Sequence, residues 1–459
     1  MPPVIETLRS SKTPWEVFLS VSASSPTCFF LDSPQYAPPD QVFSYIGMDP
    51  VLEVRLERDA LYVQGEVNAK YLTGEFFPVL KKLLKKYRTR ERSAVPFFTG
   101  GFVGYFGYEA ADLCDKIVLR AKPGPDIPEV LLGLYRNVIV YDHQKRIYHL
   151  MIHPRGTGNG EWGMEKLKAY FERSIPTNRS FNAGKLTTEM KKSRFKNMVR
   201  RAKEYIAAGD IYQANLSQRF SFSYEGSGLE LYNKLRAINP SPFSCFLKAG
   251  DLEIVSSSPE RLIRKRGRVC ETRPIAGTCP AHGAASRLAI WRKKLLQSDK
   301  ERAEHLMLVD LERNDLGRVC DYRSVKVEEF MTLERYSHVV HLVSKVKGRL
   351  RKGKEALDVI RAMFPGGTIT GCPKIRCMEI IDELEPVRRG VYTGSLGYID
   401  LRGDMDLNIV IRTIFLRKGK GHLQVGAGIV HDSDPEKEYE ETLHKAEALV
   451  KALREASPK

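Results

Sequence analysis

The sequence lacks an apolar run long enough to cross a membrane. Its 459 residues are 42% hydrophobic and 28% charged, and no stretch approaches the roughly 18 consecutive apolar residues of a transmembrane helix. The first residues, MPPVIETLRSSKTPWEVF, also lack the apolar core of a secretory signal peptide. These absences predict a cytoplasmic protein with no membrane partner, and the length alone predicts two or three domains.

Metal-binding cysteine pairs are missing as well. Eight cysteines are scattered along the chain. The nearest to a pair, Cys372 and Cys377, has no second pair or histidines at zinc-finger spacing. The pattern predicts reduced, buried thiols.

Acidic residues are too few to balance the basic ones. The net charge is +17 and the pI is near 9.4, which is typical of a protein that meets nucleic acid, an anionic surface or an acidic substrate. The densest basic run, residues 81–92, is interleaved with leucines at helical spacing, which favours an amphipathic surface helix. No helix-turn-helix, RRM or KH signature accompanies it. An anion- or nucleic-acid-binding protein is the weaker alternative, and we expect no nucleic-acid partner.

The most informative stretch lies near the end of the chain. Asp434 followed by Pro435 predicts a helix N-cap with proline at the first helical position. A buried face is predicted from apolar residues at helical spacing, namely Tyr439, Leu443, Ala446, Val450 and Leu453.

A second face of the same helix carries Glu438, Glu441 and Lys445, which are three and four residues apart. Two carboxylates on one stripe can hold a hard divalent cation, and the lysine can receive an anion. The glycines of Gly426-Ala427-Gly428 let backbone N–H groups approach a ligand. The alternative is an ordinary solvated face with i,i+4 ion pairs.

Other candidate positions carry weaker signals. Residues 365–374 form a glycine-rich loop entering a helix, which favours anions, but they match no P-loop or dinucleotide fingerprint. Glu260 ends a strand, and His341 stands among apolar residues where a core histidine is the usual interpretation. Composition and spacing alone indicate a cytoplasmic α+β enzyme for an anionic ligand, with or without a metal.

Several longer motifs carry a family resemblance. The runs IYQANLSQRF, VSSSPERL, ETRPIAGT, EHLMLVDLERNDLG, FPGGTITGCPKIRCMEIIDELE, YTGSLGY, IRT and GAGIV…EYEETLHKA resemble the chorismate-binding family. That family contains the synthase subunits of anthranilate and aminodeoxychorismate synthases, together with isochorismate and salicylate synthases. The match covers about residues 190 to 450. LDSP, SYIGMDP and GGFVGYFGYE resemble the amino-terminal part of the first two.

The resemblance implies a fold. It predicts an α+β unit in which two large antiparallel β-sheets pack face to face with helices outside. The amino-terminal region, residues 1–185, would be interwoven with the chorismate-binding catalytic region, residues 186–459.

The resemblance also implies site residues. Glu304, Glu438 and Glu441 would hold Mg²⁺ against the ring carboxylate of chorismate. Substrate would also be bound by Arg412, Tyr398, Thr368 and the backbone of Gly426, Ala427 and Gly428. Catalytic positions would be Glu260 as the general acid that assists loss of the 4-hydroxyl, His341 beside the ring, Lys445 as a nearby positive charge, and Gln213, Ala276 and Thr278.

The residue type at position 213 indicates which nucleophile attacks chorismate. Family members that add water have a lysine at this position, and glutamine cannot deprotonate water. The chain also lacks a recognisable G-x-C-x-G glutaminase elbow. The resemblance therefore implies ammonia as the nucleophile, delivered by a separate glutamine amidotransferase subunit.

Several motifs indicate the product, and one residue disagrees with them. IYQANL, SPFSCFL, TITGCPK, YTGSLGY and LNIVIRT resemble the aminodeoxychorismate synthases, which exchange the 4-hydroxyl of chorismate for an amine on the route to 4-aminobenzoate and folate. Many of those enzymes carry a nucleophilic lysine where this chain has Ala276, as anthranilate synthases do. We expect 4-amino-4-deoxychorismate, with anthranilate as the alternative.

A second ligand pocket is implied by LDSP and NPSPF. Ser33, Pro242 and Phe243 match segments that line a tryptophan pocket in this subfamily. Phe243 replaces the tyrosine usual in feedback-regulated members, so we expect weak or no inhibition by tryptophan.

Overall fold

The computed structural model describes residues 3–33, 42–58, 60–89, 95–115, 117, 119, 122–154, 160–175, 180–281, 285–335 and 339–457. Within these residues, two large antiparallel sheets dominate and helices cover their outer faces. This confirms the predicted fold class. No helix in the described part of the chain is long and apolar enough to cross a membrane.

The α-helices of the described residues, in chain order, are α1 (Pro14–Ser22), α2 (Phe76–Tyr87), α3 (Gly160–Glu172), α4 (Lys192–Ala207), α5 (Gly228–Ile238), α6 (Ala285–Gln297), α7 (Asp299–Gly317), α8 (Ala356–Met363), α9 (Lys374–Leu384) and α10 (Pro435–Ala456). Short 3₁₀ helices occupy Thr73–Glu75, Tyr108–Leu113 and Gly367–Ile369. Residues 81–87 of the basic run form the second half of the amphipathic helix α2, whose Leu80 and Leu83 are buried, and Arg90 and Arg92 lie outside the described residues.

The strands are β1 (Val4–Leu8), β2 (Thr27–Asp32), β3 (Phe43–Met48), β4 (Leu52–Glu57), β5 (Ala60–Gly65), β6 (Ala69–Tyr71), β7 (Gly101–Phe106), β8 (Val130–Tyr135), β9 (Asn137–Asp142), β10 (Ile147–Ile152), β11 (Phe181–Ala183), β12 (Thr187–Thr188), β13 (Gln213–Gly226), β14 (Phe243–Ala249), β15 (Leu252–Ser258), β16 (Arg261–Arg266), β17 (Val269–Thr272), β18 (Ile275–Pro280), β19 (Lys326–Arg335), β20 (Val339–Arg349), β21 (Gly371–Cys372), β22 (Ser395–Asp400), β23 (Met405–Asn408), β24 (Thr413–Arg417) and β25 (Lys420–Ile429).

Both sheets mix strands from the two halves of the chain. The first sheet has the order β1-β10-β9-β3-β2-β14-β15-β24-β25-β13-β11, with β12 and β21 also on β13. The second has the order β18-β20-β17-β16-β23-β22-β7-β8-β4-β5-β6, with β19 on β20. β2 pairs with β14 and β7 pairs with β22, so each sheet crosses residue 185 through backbone hydrogen bonds.

The core between the sheets is apolar and aromatic. One buried cluster joins Phe29 and Tyr45 of the first sheet to Leu131 and Tyr398 of the second. Tyr45 and Tyr398 lie 5.8 Å apart between ring centroids at an angle of 64°, a favourable edge-on geometry. This contact is one of several in the cluster that join the two sheets face to face.

Helix α10 begins as predicted but buries a different stripe. Asp434 accepts hydrogen bonds from the backbone N–H groups of Glu436 and Lys437, each at 3.0 Å, and Pro435 opens the helix. Its buried apolar residues are Ala446, Leu449, Ala452, Leu453 and Ala456. The prediction of a buried Leu443 is wrong, because that side chain is 37% exposed on the outer surface of the helix.

A buried ion pair ties α9 to the first sheet. Arg389 and Glu385 approach to 2.7 Å, with side chains 1% and 3% exposed. Arg389 also donates to the carbonyl oxygens of Asn215 on β13 at 2.6 Å and Ile369 at 3.0 Å. Glu385 accepts from the N–H and the hydroxyl of Ser217, both at 2.8 Å. One pair of charges therefore holds two other segments of backbone, β13 and the 3₁₀ helix at Gly367–Ile369.

We predict that Arg389→Met lowers the free energy of unfolding by about 3–5 kcal/mol, since it leaves Glu385 buried without its cation. Arg389→Met combined with Glu385→Leu removes both charges and should recover most of that loss. Urea denaturation measures both. The half-exposed pair Lys354–Asp358 provides the control, and Lys354→Met should cost less than about 1 kcal/mol. Equal loss in the single and double variants would contradict the prediction.

Candidate active site

A cavity of about 530 Å³ lies between the sheets and is bounded by β13, β25, β18, β20, α7 and α10. Its volume is in the ordinary range for a site that encloses a small ligand. Most of the predicted catalytic, substrate-binding and metal positions line it, namely Gln213, Glu260, Ala276, Glu304, His341, Thr368, Arg412, Gly426, Gly428, Glu438, Glu441 and Lys445. The described structure thus brings together residues spread over more than half of the sequence.

The floor of the cavity is made by β13 and β25. Asn215 pairs with Gly428 across the ladder, so odd-numbered residues of β13 and even-numbered residues of β25 share one face. Gly426 and Gly428 therefore face the cavity. Ala427 points to the opposite face and is buried in the core, so only its backbone could contribute to the site.

Carboxylates enter from two helices. Glu304 on α7 accepts a hydrogen bond from the Gln213 side-chain N–H₂ at 3.3 Å. Glu438 and Glu441 enter from α10, and Glu301 lines the same cavity one turn before Glu304. In the described part of the chain, no three acidic, histidine or cysteine side chains converge closely enough to hold a metal by themselves.

Two cations lie beside these carboxylates. Lys445 forms an ion pair with Glu441 at 2.7 Å and donates to the carbonyl oxygen of Gly426 at 3.1 Å. Arg412 donates to the carbonyl oxygen of Lys445 at 2.6 Å. Burial lowers the pKa of Arg412 from its usual value, yet guanidinium remains charged throughout the neutral range. The cavity wall therefore presents positive charge suited to an anionic ligand.

Glu260 and His341 are both driven toward their neutral forms. Burial raises the pKa of Glu260 to about 7, and the nearby Thr368 hydroxyl, the Ile275 N–H and the charge of Lys445 offset only part of this rise. Burial lowers the pKa of His341 to about 4. A carboxylic acid that keeps its proton near neutral pH can act as a general acid.

The ETRPIAGT segment orients the histidine. His341 Nδ1 lies 3.2 Å from the carbonyl oxygen of Gly277, which accepts the ring N–H of the neutral imidazole. Gly277 has φ +59° and stands at a break in register between Ala276 and Thr278, as in a β-bulge. Ala276 is buried at the cavity wall. Thr278 pairs with His341 through the backbone, and its side chain lies outside the described atoms.

Tyr398 is the one predicted substrate-binding residue that the structure places elsewhere. It stacks on Phe98 with ring centroids 4.5 Å apart and lines a different cavity. Tyr392, six residues earlier, shares the cavity with Arg412 instead. The reason is that Tyr398 lies within β22 and faces the aromatic core, whereas Tyr392 precedes that strand.

Sequence reasoning also missed Asn215, Gln424 and His444, which line the cavity. Strand parity was the signal for the first two: Asn215 is two residues from Gln213, and Gln424 is two residues from Gly426. His444 adjoins Lys445 on α10, and no pattern in the sequence singled it out.

The second cavity contains the predicted tryptophan-pocket residues. Ser33, Pro242 and Phe243 line it together with Tyr398 and Arg266. Arg261 lies over the Phe243 ring, 5.3 Å from its centroid, which is a cation–π geometry. Pro34, the last residue of the LDSP motif, lies outside the described residues.

Two solved structures share this architecture. Anthranilate synthase component I from Streptococcus pneumoniae superposes with a TM-score of 0.80 at 34% identity, over 91% of this chain and 93% of that one. The menaquinone-specific isochorismate synthase from Escherichia coli gives a TM-score of 0.74 at 17% identity over 99% and 95%, a likeness of fold.

The family is shown by sequence as well. The model of the chorismate binding enzyme family matches residues 9–451, and the chain belongs to that family. Aminodeoxychorismate synthase component 1 from Bacillus subtilis is 39% identical over 90% of this chain and 89% of its own. Anthranilate synthase component 1 from Acetivibrio thermocellus is 37% identical over 99% and 96%. The family is thus certain, and the two reactions are represented at similar identity.

We predict a pH-dependent stability difference between the wild type and Glu260→Gln. Between about pH 4.5, where an ordinary glutamate titrates, and about pH 7, the native state keeps a proton that the unfolded state has lost. The wild type should therefore lose up to about 3 kcal/mol relative to Glu260→Gln as the pH rises through this window. Urea titrations at several pH values measure the difference. The exposed Glu440→Gln provides the control, and a flat difference for Glu260→Gln would refute the assignment.

Proposed function

We propose that this chain is the synthase subunit that converts chorismate and ammonia to 4-amino-4-deoxychorismate with Mg²⁺ as cofactor. One observation supports a reaction on chorismate. Glu260, a protonated acid, lies in the same cavity as Arg412, Lys445 and the glutamates of α7 and α10. Chorismate carries two carboxylates and a hydroxyl that leaves poorly. The cavity offers cations for the former and an acid for the latter.

The donor set fits magnesium. Mg²⁺ prefers oxygen ligands and usually binds through one or two carboxylates, completing its shell with water and substrate oxygens. Glu304, Glu438 and Glu441 would hold it, and three converging protein carboxylates are not required. When bound, the ion offsets negative charge on the substrate carboxylate.

The other side chains act on the substrate directly. Arg412 and Lys445 lie where they would bind carboxylate groups, and the backbone of residues 426–428 lets the ligand approach the floor closely. Tyr392 takes the place proposed from sequence for Tyr398, since it shares the cavity with Arg412. Glu260 would give its proton to the departing 4-hydroxyl, because hydroxide is a poor leaving group. His341, neutral and held by Gly277, would lie beside the ring.

Gln213 supports ammonia as the nucleophile. Its N–H₂ group is engaged by Glu304, and an amide has no basic nitrogen with which to activate water. A separate glutamine amidotransferase subunit would supply the ammonia. Amination at C4 is supported by the motif set IYQANL, SPFSCFL, TITGCPK, YTGSLGY and LNIVIRT.

One residue favours anthranilate as a second candidate product. Ala276 stands at the cavity wall where many aminodeoxychorismate synthases carry a nucleophilic lysine, and alanine cannot form a covalent adduct. Amination at C4 then needs ammonia to act without that adduct.

Product analysis decides between the two reactions. With chorismate, Mg²⁺ and ammonium chloride, we expect the purified chain to form a product that yields 4-aminobenzoate only after a separate lyase is added. Glutamine alone should not support turnover. Fluorescent anthranilate formed without a lyase would favour the second candidate, and isochorismate would refute amination altogether.

The metal assignment has its own test. Glu304→Gln and Glu441→Gln should each lower kcat/KM by about 100-fold or more, because each removes charge that holds the cation. Glu440→Gln, on the exposed side of α10, is the matched control and should match the wild type. Far-UV circular dichroism checks that each variant is folded. Full wild-type turnover in excess EDTA would contradict a magnesium requirement.

A further inference from the structure

Another large cavity lies apart from the candidate active site. Its volume is about 660 Å³, and it is enclosed by α2, the turn that joins β16 to β17, the turn that joins β22 to β23 and the start of α8. None of its described lining residues also lines the candidate active site or the cavity around Tyr398. The space is large enough for a small ligand, and the proposed reaction gives it no role. We call it the basic cavity.

Positive charge predominates in the basic cavity. Among its described lining residues, seven are lysine or arginine and three are acidic. The acidic residues already have partners within the lining. Glu355 and Asp400 pair with Arg88 and Arg402 at 3.0 Å and 2.8 Å, and Asp404 accepts a backbone N–H at 2.7 Å. The carboxylates of the cavity therefore do not balance its remaining cations.

Three lysines supply the excess charge. Arg268 and Lys354 pair with carboxylates outside the cavity lining. Lys81, Lys85 and Lys265 line the cavity, and in the described part of the chain none of the three has a carboxylate at ion-pair distance. Lys81 and Lys85 are one turn apart on α2, so they share the helix face that borders the cavity. Their ammonium groups are available to an anion from outside the chain.

Lys265 is the most informative of the three, because it is only 7% exposed. Its Nζ donates to the carbonyl oxygen of Gly403 at 2.6 Å, and an ammonium group has three donors. Burial lowers the pKa of Lys265 from its usual value, and the nearby charge of Asp404 offsets only part of this effect. Buried charges are normally paired, so a buried lysine whose only close partner is a carbonyl indicates an anionic ligand.

The donor set favours phosphate groups. Arginine is the side chain that grips a planar carboxylate through two parallel bonds, and the arginines of this cavity are already paired. The cations left over are lysines, which bind phosphate as point charges. No aromatic side chain is among the described lining residues, so they offer no surface on which a nucleobase could stack. The basic cavity therefore suits a small phosphorylated molecule better than nucleic acid.

We propose that the basic cavity is a second anion site, which binds a phosphate-bearing small molecule through Lys81, Lys85 and Lys265. The strand that carries Lys265 begins one residue after Glu260, so the site lies toward the far end of a strand that leaves the candidate active site. The proposal is independent of the proposed function, because it requires no turnover of chorismate.

The test is isothermal titration calorimetry with pyrophosphate as the probe, at fixed ionic strength and without Mg²⁺. We expect saturable binding by the wild type. Lys81→Gln combined with Lys85→Gln removes two cations from an exposed helix face and should raise the Kd for pyrophosphate roughly tenfold or more. Lys265→Met keeps most of the side-chain volume and should do the same. Far-UV circular dichroism checks that each variant is folded.

Two controls locate the site. Lys82→Gln combined with Lys86→Gln makes the same charge change on the same helix, but neither lysine lines the cavity. Salt screens charges that do not contact the ligand, so this pair should change the Kd by less than about twofold. Lys445→Gln removes a cation of the candidate active site and should leave the Kd for pyrophosphate unchanged.

Several outcomes would overturn the proposal. One is the absence of saturable binding at millimolar pyrophosphate. Equal weakening in the two double variants of α2 would show attraction to net charge alone, and weakening in Lys445→Gln would assign pyrophosphate to the candidate active site. Tighter binding of citrate than of pyrophosphate would exclude a phosphate site, and displacement of pyrophosphate by a short DNA duplex would assign the surface to nucleic acid. The α2 variants decide the matter even if Lys265→Met fails to fold.

Discussion

The ion pair between Arg389 and Glu385 is the interaction on which the geometry of the cavity depends. Neither charge touches the cavity, yet their remaining hydrogen bonds hold β13, the 3₁₀ helix at Gly367–Ile369 and, through Ser217, the amide of Gln424. Burying two charges is costly, and a hydrophobic pair of the same volume is often as stable. A hydrophobic pair, however, cannot make directional hydrogen bonds. The charges fix the position of groups that packing alone would leave free to slide.

Burial also sets the protonation states of the side chains in the cavity, because it raises the pKa of Glu260 and lowers the pKa of His341. Removing water penalises the charged form of both Glu260 and His341, so the carboxyl keeps its proton and the imidazole loses one. The fixed positive charge is left to Arg412 and Lys445, which have backbone or carboxylate partners. The cavity therefore combines neutral proton-handling groups with cationic binding groups, a division that suits a dianionic substrate with a poor leaving group.

Local patterns predicted the elements well because they depend on neighbouring residues. The N-cap at Asp434 and the start of α10 follow from two adjacent residues. The buried face of that helix was harder to predict, because Leu443 is apolar yet faces outward and smaller alanines pack inward. Helical spacing shows which residues share a face, but which face is buried depends on strands that are distant in the sequence.

The site residues also fall into two groups, those that sequence motifs predicted and those that only the fold reveals. Motif resemblance located Glu260, Gln213, Glu304 and the carboxylates of α10, which the fold brings to one cavity. It predicted Tyr398, which lines a different cavity, whereas Tyr392 of the same motif lines this one; Tyr392 precedes β22 and Tyr398 lies within it. Asn215 belongs to the motif IYQANL but no role was predicted for it, and Gln424 lies outside the quoted motifs. They share one cavity because β13 and β25 pair residues some 200 positions apart, which no local pattern contains.

The interleaving of the two sheets has a consequence for synthesis of the protein. β2 hydrogen bonds to β14, and β7 lies between β8 and β22, so strands made early must wait for partners made much later. Until residue 400 has left the ribosome, the amino-terminal half exposes apolar strands with one unpaired edge. Such edges readily join those of other nascent chains. Cutting the chain near residue 185 should therefore give two fragments that fold only when they are made together.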